Sequence, residues 1–343
     1  KKSQYGLSGA KVYASHKELL GDPNIDLVSV CTPPYVHAEI AIDFLRDGKN
    51  VIVEKPMAAS LEECDRILDA ERESGKTLSV IAQNRFTNPY MHLKAILDSG
   101  KLGKIVHAQV DSYWWRGHCY YDLWWRGSWE KEGGGCTLNH AVHHIDMLGW
   151  MMGLPESVTA VLSNVSHDNA EVEDISIAAM RYPGGALAQV TSSVVHHGEE
   201  QQVIFQTERA RVSAPWKVYA SLSKDNGFPY RNETLEAELQ ADYDALPDLP
   251  YTGHTAQIDN VMTAIETGAR PFIDGVSGRR TIEMITAIYK SGFEGRTVAL
   301  PLAPDDPFYT VGGILKNVRH FHEKSTSLEN LADAGITVGG DGK

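Results

Sequence analysis

The sequence predicts an α/β protein in two parts, a doubly wound parallel sheet at residues 1–105 and an α+β domain at residues 106–343. Two observations predict this division. Up to about residue 110, short apolar runs alternate with helical patterns, which is typical of right-handed βαβ crossovers. After about residue 105, apolar runs follow one another and are joined by hairpin turns, which indicates a mostly antiparallel sheet.

In the first part, predicted strands alternate with predicted helices whose ends are recognisable. Ser15 is the expected N-cap of a short helix near 15–20, and Asp47-Gly48 is expected to end a helix at 36–46. Another helix is predicted over 60–73. The predicted strands are 11–13, 27–31, 50–53 and 77–82.

In the second part, a turn at 182–186 contains Pro183 and two glycines and predicts a hairpin between neighbouring strands. A helix over 137–152 is expected to lie against the sheet, and helices near 255–267 and 277–290 follow. The predicted strands are 105–113, 157–163, 172–182, 186–195, 201–206 and 211–213.

The composition excludes several classes of partner. A formal net charge of -13 disfavours nucleic acid and anionic membrane surfaces, and no apolar run approaches the roughly 20 residues that a membrane span needs. The four cysteines contain no CxxC pair, so neither a disulfide framework nor a cysteine-rich zinc site is indicated. We therefore expect a cytoplasmic protein that binds a small molecule.

Polar segments follow three predicted parallel strands at their carboxyl ends, where open α/β sheets bind ligands. They are 31–37, where Thr32 and backbone amides open a helix, then Glu54-Lys55-Pro56, and then 83–86. Each segment alone could be a capped turn or a surface charge pair. Three at successive strand ends favour a phosphate-, ribose- or substrate-binding edge.

The most concentrated polar stretch is 133–146, in which three glycines lead into a helical pattern with three histidines. At helical spacing, Asn139, His143, Asp146 and Trp150 fall on one stripe, which predicts a polar face. Leu138, Val142, Ile145 and Leu148 fall on the opposite side and are predicted to be buried.

Taken together, the order of segment 25–33, Glu54-Lys55-Pro56, Trp125-Arg126 and the triple glycine with His143 and Asp146 resembles the Gfo/Idh/MocA family of NAD(P)-dependent oxidoreductases. The resemblance covers roughly residues 10 to 300. It implies a Rossmann domain followed by an α/β domain with a large open sheet, used for dimer or tetramer contacts. It also implies oxidation or reduction of a sugar, cyclitol or polyol carbon with NAD or NADP.

The resemblance assigns roles to individual residues. Lys55 would lie between nicotinamide and substrate, and His143 would be the acid/base. Trp125 and Arg126 match a pair near cofactor or substrate. The positions that match cofactor contacts are Thr32, Pro33, His37, Glu54, Gln83 and Asn84, beside Lys55 itself.

Residue chemistry supports the two central roles independently. Oxidising a carbinol requires that a proton leave the hydroxyl, and a neutral imidazole can accept it near pH 7. A lysine ammonium on the same oxygen would stabilise developing negative charge.

The sequence departs from the family pattern at two places. Asn139 stands where many members have an aspartate, and an asparagine can bind a substrate hydroxyl without accepting its proton. The expected first strand and GxGxxG turn are not found, and Gly6-Leu7-Ser8-Gly9 is too short to replace them. We expect about 40 to 45 residues to be missing before Lys1, and the chain as written to bind dinucleotide poorly.

The remaining histidines allow several interpretations. His140 and His144 have the i, i+4 spacing of two helical metal ligands, but no third ligand is evident. Substrate contact and packing are the alternatives. We predict no metal, and a substrate contact for His140.

The segment 112–126 holds four of the seven tryptophans and suits a sugar ring, because aromatic faces stack on apolar ring faces. A hydrophobic plug or an oligomer contact is the alternative. The predicted substrate contacts are Arg85, Trp115, His118, Tyr120, Asn139 and His140.

The sequence thus predicts an NAD(P)-dependent dehydrogenase that acts on a secondary hydroxyl of a sugar, glycoside or polyol, in a homodimer or homotetramer. Two alternatives remain. One is a glycoside-cleaving enzyme that oxidises C3 transiently to allow elimination. The other is a non-catalytic sugar-binding paralogue, which retention of Lys55 and His143 disfavours.

Overall fold

The computed structural model describes Gly6 and residues 9–330 of the 343-residue chain. Its first sheet has three parallel strands in the order β1-β2-β3, with Val28 beside Val51 and Val51 beside Leu78. The strands are β1 (Leu27–Val30), β2 (Asn50–Val53) and β3 (Leu78–Val80). The predicted parallel sheet is confirmed.

Two helices connect these strands, α1 (His37–Arg46) and α2 (Leu61–Ser74). Helix α2 begins where the Ser60 hydroxyl accepts the Glu63 amide, and it ends at Gly75 in the left-handed conformation. Its buried face carries Leu61, Cys64 and Ile67 at intervals of three residues. The crossovers therefore cover the sheet with amphipathic helices, as the sequence predicts.

The first predicted elements have mixed outcomes. The strand predicted over 11–13 is wrong, since these residues pair with no described strand and Val12 is 78% exposed. The helix near 15–20 is a 3-10 turn, His16–Leu19, whose N-cap is Ser15 as predicted. Segment 6–9 falls partly outside the described residues.

The second sheet has nine strands in the order β11-β10-β9-β8-β4-β7-β6-β5-β12. Strands β4 and β7 run parallel, and the other neighbouring pairs described run antiparallel. The Tyr182 amide donates to the Ala186 carbonyl at 2.8 Å, which confirms the predicted hairpin. The strands are β4 (Ile105–Tyr113), β5 (Ser157–Ser163), β6 (Ile175–Arg181), β7 (Leu187–Ser193), β8 (Gln201–Thr207), β9 (Ala210–Ala214), β10 (Lys217–Ser223), β11 (Pro229–Arg231) and β12 (Val298–Ala299).

Helix α9 joins the two sheets. It packs against α2 and β3 of the first part and against β5 of the second sheet. A methyl group on Gly278 would lie 2.7 Å from Val80 Cγ2, so the missing side chain permits this close packing. The helices of this part are α3 (Asn88–Asp98), α4 (Trp129–Glu132), α5 (Cys136–Asn139), α6 (Val142–Met152), α7 (Glu233–Asp244), α8 (Gly253–Thr267), α9 (Gly275–Glu294) and α10 (Val311–Asn317).

The single helix predicted over 137–152 is wrong, because the structure divides it into α5 and α6. The Cys136 carbonyl accepts the amides of both His140 and Ala141, at 3.1 and 2.9 Å. The hydrogen-bond ladder therefore shifts by one residue between the helices. The predicted buried side is confirmed, since Leu138, Val142, Ile145 and Leu148 are each at most 4% exposed.

No helix within the described part of the chain is long and apolar enough to cross a membrane. The division at residue 105 stays a prediction; β4 begins at Ile105.

Candidate functional site

The triple glycine lies at the start of α5, where buried hydrogen bonds connect α5 and α9 through Glu173. Glu173, immediately before β6, accepts the amides of Gly135 and Thr137 through its carboxylate, each at 3.0 Å. The Tyr289 hydroxyl of α9 donates to the same carboxylate at 3.0 Å. The start of α5, whose amides have no intrahelical partner, is thus capped by a buried glutamate.

The glycines are required here by close approach. A methyl group on Gly135 would lie 1.9 Å from the Glu173 carbonyl oxygen, and one on Gly134 would lie 2.2 Å from the Tyr289 hydroxyl. The helix therefore starts too close to Glu173 and α9 for side chains at these positions.

Lys55 follows β2 and reaches toward the end of α5. Its ammonium donates to the Asn139 carbonyl at 2.9 Å. Burial lowers the pKa of Lys55 to about 8, and the nearby Glu54 carboxylate opposes this change. The lysine is therefore cationic at pH 7 but holds its proton less firmly than an exposed lysine.

His143, in the first turn of α6, lines one cavity together with Lys55. Burial lowers the pKa of His143 well below its usual range, and the positive charge of Lys55 adds to the effect. The imidazole is therefore neutral at pH 7. The two residues predicted to carry the chemistry thus face one cavity, whose other walls come from β3 and α9.

The predicted polar stripe is only partly exposed to this cavity. Asp146 is 4% exposed and accepts two hydrogen bonds from the Arg85 guanidinium, both at 2.7 Å. The Thr281 hydroxyl donates to it as well, and Arg85 lies over the Trp150 ring. Asp146 and Trp150 therefore hold Arg85, and Asp146 also lines the cavity. Substrate contact by Arg85 stays a prediction.

Asn139 also contacts the triple glycine through its side chain. Its side-chain amide nitrogen donates to the Gly134 carbonyl at 2.8 Å and to the Gly135 carbonyl at 3.3 Å. The amide group is thereby held in one orientation.

Several of the predicted cofactor contacts lie at the carboxyl edge of the first sheet. His37 is buried between the Thr32 and Pro56 carbonyls, at 2.7 and 2.8 Å, so it joins two of the polar segments. Glu54 Oε1 lies 3.7 Å from His254 Nε2. Thr32 is exposed and Pro33 is half-buried at the same edge.

The third polar segment supplies an unpaired atom. Gln83 Oε1 is buried without a hydrogen-bond partner among the described residues. Asn84, next to it, accepts the Thr87 hydroxyl through its carbonyl. A buried amide oxygen of this kind is a candidate acceptor for a ligand.

The aromatic segment divides into an inner and an outer part. In the inner part, Tyr120 lies 5.6 Å from the His140 ring and 4.0 Å from the Arg126 guanidinium, which also covers Trp125 at 4.1 Å. In the outer part, Trp115 is 45% exposed and stacks on His197. His118, also exposed, lies 2.6 Å from Asp168.

The two undecided histidines are both buried. His144 Nδ1 lies 2.9 Å from the Ser112 hydroxyl, and burial lowers its pKa to about 4. His140 Nδ1 and His144 Nε2 lack hydrogen-bond partners among the described residues. In the described chain, the one group with metal-ligand geometry is His16, Glu39 and Asp43, on the surface near α1.

Sequence reasoning missed Glu173, Glu132, Arg116 and Tyr289. Glu132 is 1% exposed and pairs with Arg126 at 2.7 Å. The separation of 38 residues between Gly135 and Glu173 hides their contact. The Glu173-Asp174 pair inside an apolar strand pattern was the available signal, because buried carboxylates require partners.

Comparisons with known proteins agree with the observed fold. Residues 3–82 match the profile of the oxidoreductase family with an NAD-binding Rossmann fold, and residues 90–213 match the GFO/IDH/MocA C-terminal domain. The scyllo-inositol 2-dehydrogenase (NADP(+)) of Bacillus subtilis is 28% identical over 85% of this chain and 83% of its own. The 2,7-anhydro-N-acetylneuraminate hydratase of Escherichia coli is 27% identical over 57% of this chain and 52% of its own.

The WlbA dehydrogenase of Bordetella pertussis, crystallised with NADH and UDP-GlcNAcA, has a similar structure. It is 28% identical, the TM-score is 0.74, and the match covers 88% of this chain and 87% of that one. The chain spans about half the length of the first curated relatives it matches. The two adjoining family profiles, matched in order and confirmed by the fold, show that the chain belongs to the Gfo/Idh/MocA family of oxidoreductases.

Proposed function

We propose that the chain transfers a hydride between NAD(P) and a secondary hydroxyl of a sugar, glycoside or polyol. One observation carries the proposal: a cationic Lys55 and a neutral His143 line the same cavity at the carboxyl edge of the parallel sheet. The NAD-binding profile covers this sheet.

The residues at this edge fit the nicotinamide end of a dinucleotide. The cavity has apolar walls from Met57, Val80 and Ile81, and nearby in the chain Gln83 provides a buried acceptor that has no partner in the described part of the structure. When bound, NAD(P) supplies the carbon that accepts or returns the hydride. We propose that the contacts come from Thr32, Pro33, His37, Glu54, Lys55, Gln83, Asn84, Trp125 and Arg126.

Lys55 orients the reacting oxygen. Its ammonium carries three donors, and one of them is committed to the Asn139 carbonyl at 2.9 Å. This bond fixes the direction of the side chain. The other donors stabilise the negative charge that develops on the substrate oxygen during oxidation.

His143 accepts the hydroxyl proton in oxidation and returns it in reduction. Because burial and Lys55 keep the imidazole neutral at pH 7, it has a free nitrogen lone pair for this purpose. We propose that Asn139, whose amide nitrogen donates to the Gly134 carbonyl, accepts a substrate hydroxyl through its amide oxygen. We retain it as a positioning group for substrate.

The test uses the full-length protein with NAD⁺ or NADP⁺ and a panel of sugars, glycosides and inositols, and follows the absorbance of reduced nicotinamide. Turnover is expected with at least one hydroxyl substrate and is expected to be lost in Lys55→Ala and His143→Ala. Lys17→Ala, an exposed lysine on the first 3-10 turn, is the matched control. Turnover that survives in both site variants would refute the assigned roles.

A second candidate is supported by the E. coli relative, whose name, hydratase, describes a reaction without net oxidation. In this case the same residues would oxidise C3 of a glycoside transiently so that the glycosidic bond is eliminated. Sugar release with catalytic NAD⁺ and no accumulation of NADH would establish it. Binding of sugar with neither outcome would indicate a non-catalytic paralogue.

We also propose that the second sheet forms a homodimer or homotetramer contact. Its outward residues Val161, Ile177 and Leu187 lie on neighbouring strands and are 64%, 51% and 47% exposed. Ile177→Glu should shift the mass measured by light scattering toward the monomer. An unchanged mass would contradict the contact.

A further inference from the structure

Three cationic side chains converge behind the aromatic segment. Arg116 and Arg126 lie over the Tyr120 ring at 5.7 and 4.0 Å, and Tyr120 lies 5.6 Å from the His140 ring. The charges that act on His140 come from these two arginines and from Lys55. One buried imidazole therefore lies near three cationic side chains, two of which are paired with glutamates.

Arg126 is fixed in this cluster. Its guanidinium lies between the Tyr120 and Trp125 rings, and its Nη1 donates to buried Glu132 at 2.7 Å. The second Glu132 oxygen accepts the Gly127 amide. Because Glu132 has both oxygens occupied by protein groups, it holds Arg126 without extending toward the cavity.

Arg116 is held from the opposite side. Its Nη1 donates to the Trp115 carbonyl at 2.6 Å and to Glu199 at 2.7 Å. Glu199 also accepts the Trp115 amide, and it is the non-glycine residue with a positive φ, 49°, among the described residues. A strained residue persists where its surroundings require it, so the strain at Glu199 points to a constrained orientation of Arg116.

His140 completes the cluster as a neutral group. Burial lowers its pKa well below the usual range, and Arg116 is the largest charge contribution. The residue is 7% exposed, and its buried Nδ1 has no hydrogen-bond partner among the described side chains and backbone groups. A buried polar atom without a partner, in a positive field, is an incomplete anion-recognition site.

We propose that the substrate carries a carboxylate, that is, a sugar acid, and that Arg116 binds this carboxylate beside His140. The inference rests on the proposed function and names the substrate class of that site. A planar carboxylate matches the edge of a guanidinium in two parallel hydrogen bonds. Glu132 and Glu199 balance part of the positive charge, so a single negative charge is favoured over a doubly charged phosphate.

The experiment compares binding within matched pairs that differ only in the acid group. Dissociation constants are measured by tryptophan fluorescence, with and without NADH, for D-glucuronate against D-glucose and D-galacturonate against D-galactose. At least one acid is expected to bind about tenfold or more tightly than its neutral partner. Glucose 6-phosphate tests the phosphate alternative.

Arg116→Gln is expected to abolish the difference within each pair, and Arg116→Lys is expected to retain part of it. Arg211→Gln is the matched control, since Arg211 lies over Tyr219 on the outer part of the second sheet. The NADH dissociation constant should stay unchanged in Arg116→Gln. Circular dichroism and thermal unfolding establish that each variant is folded.

Equal binding of acid and neutral sugars, absence of binding by every acid, or preference for the phosphate would overturn the inference. Weakened NADH binding in Arg116→Gln with sugar binding unchanged would assign the site to the dinucleotide instead. Reduction of NAD(P)⁺ by neutral sugars would leave the proposed function standing without the acid preference. Tight binding of an acid without any turnover would support the acid preference and contradict the proposed function.

Discussion

Two buried polar regions meet along α5 and α6, and they differ in how their charges are satisfied. Around the triple glycine, the Glu173 carboxylate accepts three hydrogen bonds from the protein itself. Around the cavity, Lys55 has one protein acceptor, and His140 keeps an unpaired nitrogen within the described structure. The polar groups around the triple glycine therefore stabilise the fold, whereas those around the cavity still have donors and acceptors for a ligand.

The difference teaches how to separate structural from functional polar groups in one buried network. Burial alone does not separate them, because Glu173 and His140 are both inaccessible. The number of donors and acceptors without a protein partner does separate structural from functional groups. Substitutions around the triple glycine should change the free energy of unfolding, and substitutions around the cavity should change turnover or binding.

The largest effect is expected from Arg85→Met. Removing Arg85 leaves the buried Asp146 carboxylate without its cationic partner, which costs about 3–5 kcal/mol of unfolding free energy. Urea unfolding measures it. A normal unfolding midpoint together with a raised substrate KM would instead place Arg85 at the substrate, as the sequence predicted.

In contrast to Arg85→Met, Lys55→Ala should change turnover much more than the free energy of unfolding. We expect kcat to fall by about 10² to 10³, because one donor to the developing oxyanion is lost. Unfolding free energy should fall little, since the removed ammonium is buried with only one hydrogen bond. A large loss of stability with kcat retained would show that Lys55 has a structural role and not a catalytic one.

The pH dependence of stability tests Glu173. Burial raises its pKa to about 7, above the value of 4.5 in the unfolded chain. Wild type should therefore lose stability relative to Glu173→Gln as pH rises from about 4.5 through 7, by up to about 3 kcal/mol. Chemical unfolding at pH 5 and pH 8 gives the difference, and a gap that does not change with pH would show that Glu173 is not protonated in the folded state.

The smallest expected change is in Gly135→Ala. Its methyl group would meet the Glu173 carbonyl at 1.9 Å, and relieving this contact should cost about 1–3 kcal/mol. The control is Gly312→Ala in α10, where the methyl group meets nothing within 4 Å. Equal unfolding midpoints for the two variants would remove the reason for a glycine at position 135.

Local pattern predicted much of this architecture, because β2 and β4 carry their boundaries in apolar periodicity and turn residues. Strand β10 was missed because most of its side chains are exposed, which leaves little alternation to read. The break between α5 and α6 depends on two amides sharing the Cys136 carbonyl. The local sequence pattern does not predict that both amides bond to the same carbonyl.

The site was predictable in its chemistry and much less in its supports. Lys55 and His143 were found because reactive side chains stand in recognisable short motifs. Glu173 and Glu199 act through contacts distant along the chain, and a glutamate in a strand or turn pattern does not reveal which amide or guanidinium it meets.

His37 has a consequence for how the edge of the first sheet is held together. Its two ring nitrogens face two acceptors, the Thr32 and Pro56 carbonyls. Burial lowers its pKa, so at pH 7 the neutral ring has one N–H for two carbonyls. The two segments therefore share a single proton, and the tautomer of one imidazole decides which of them is bonded and which carbonyl remains open to a donor.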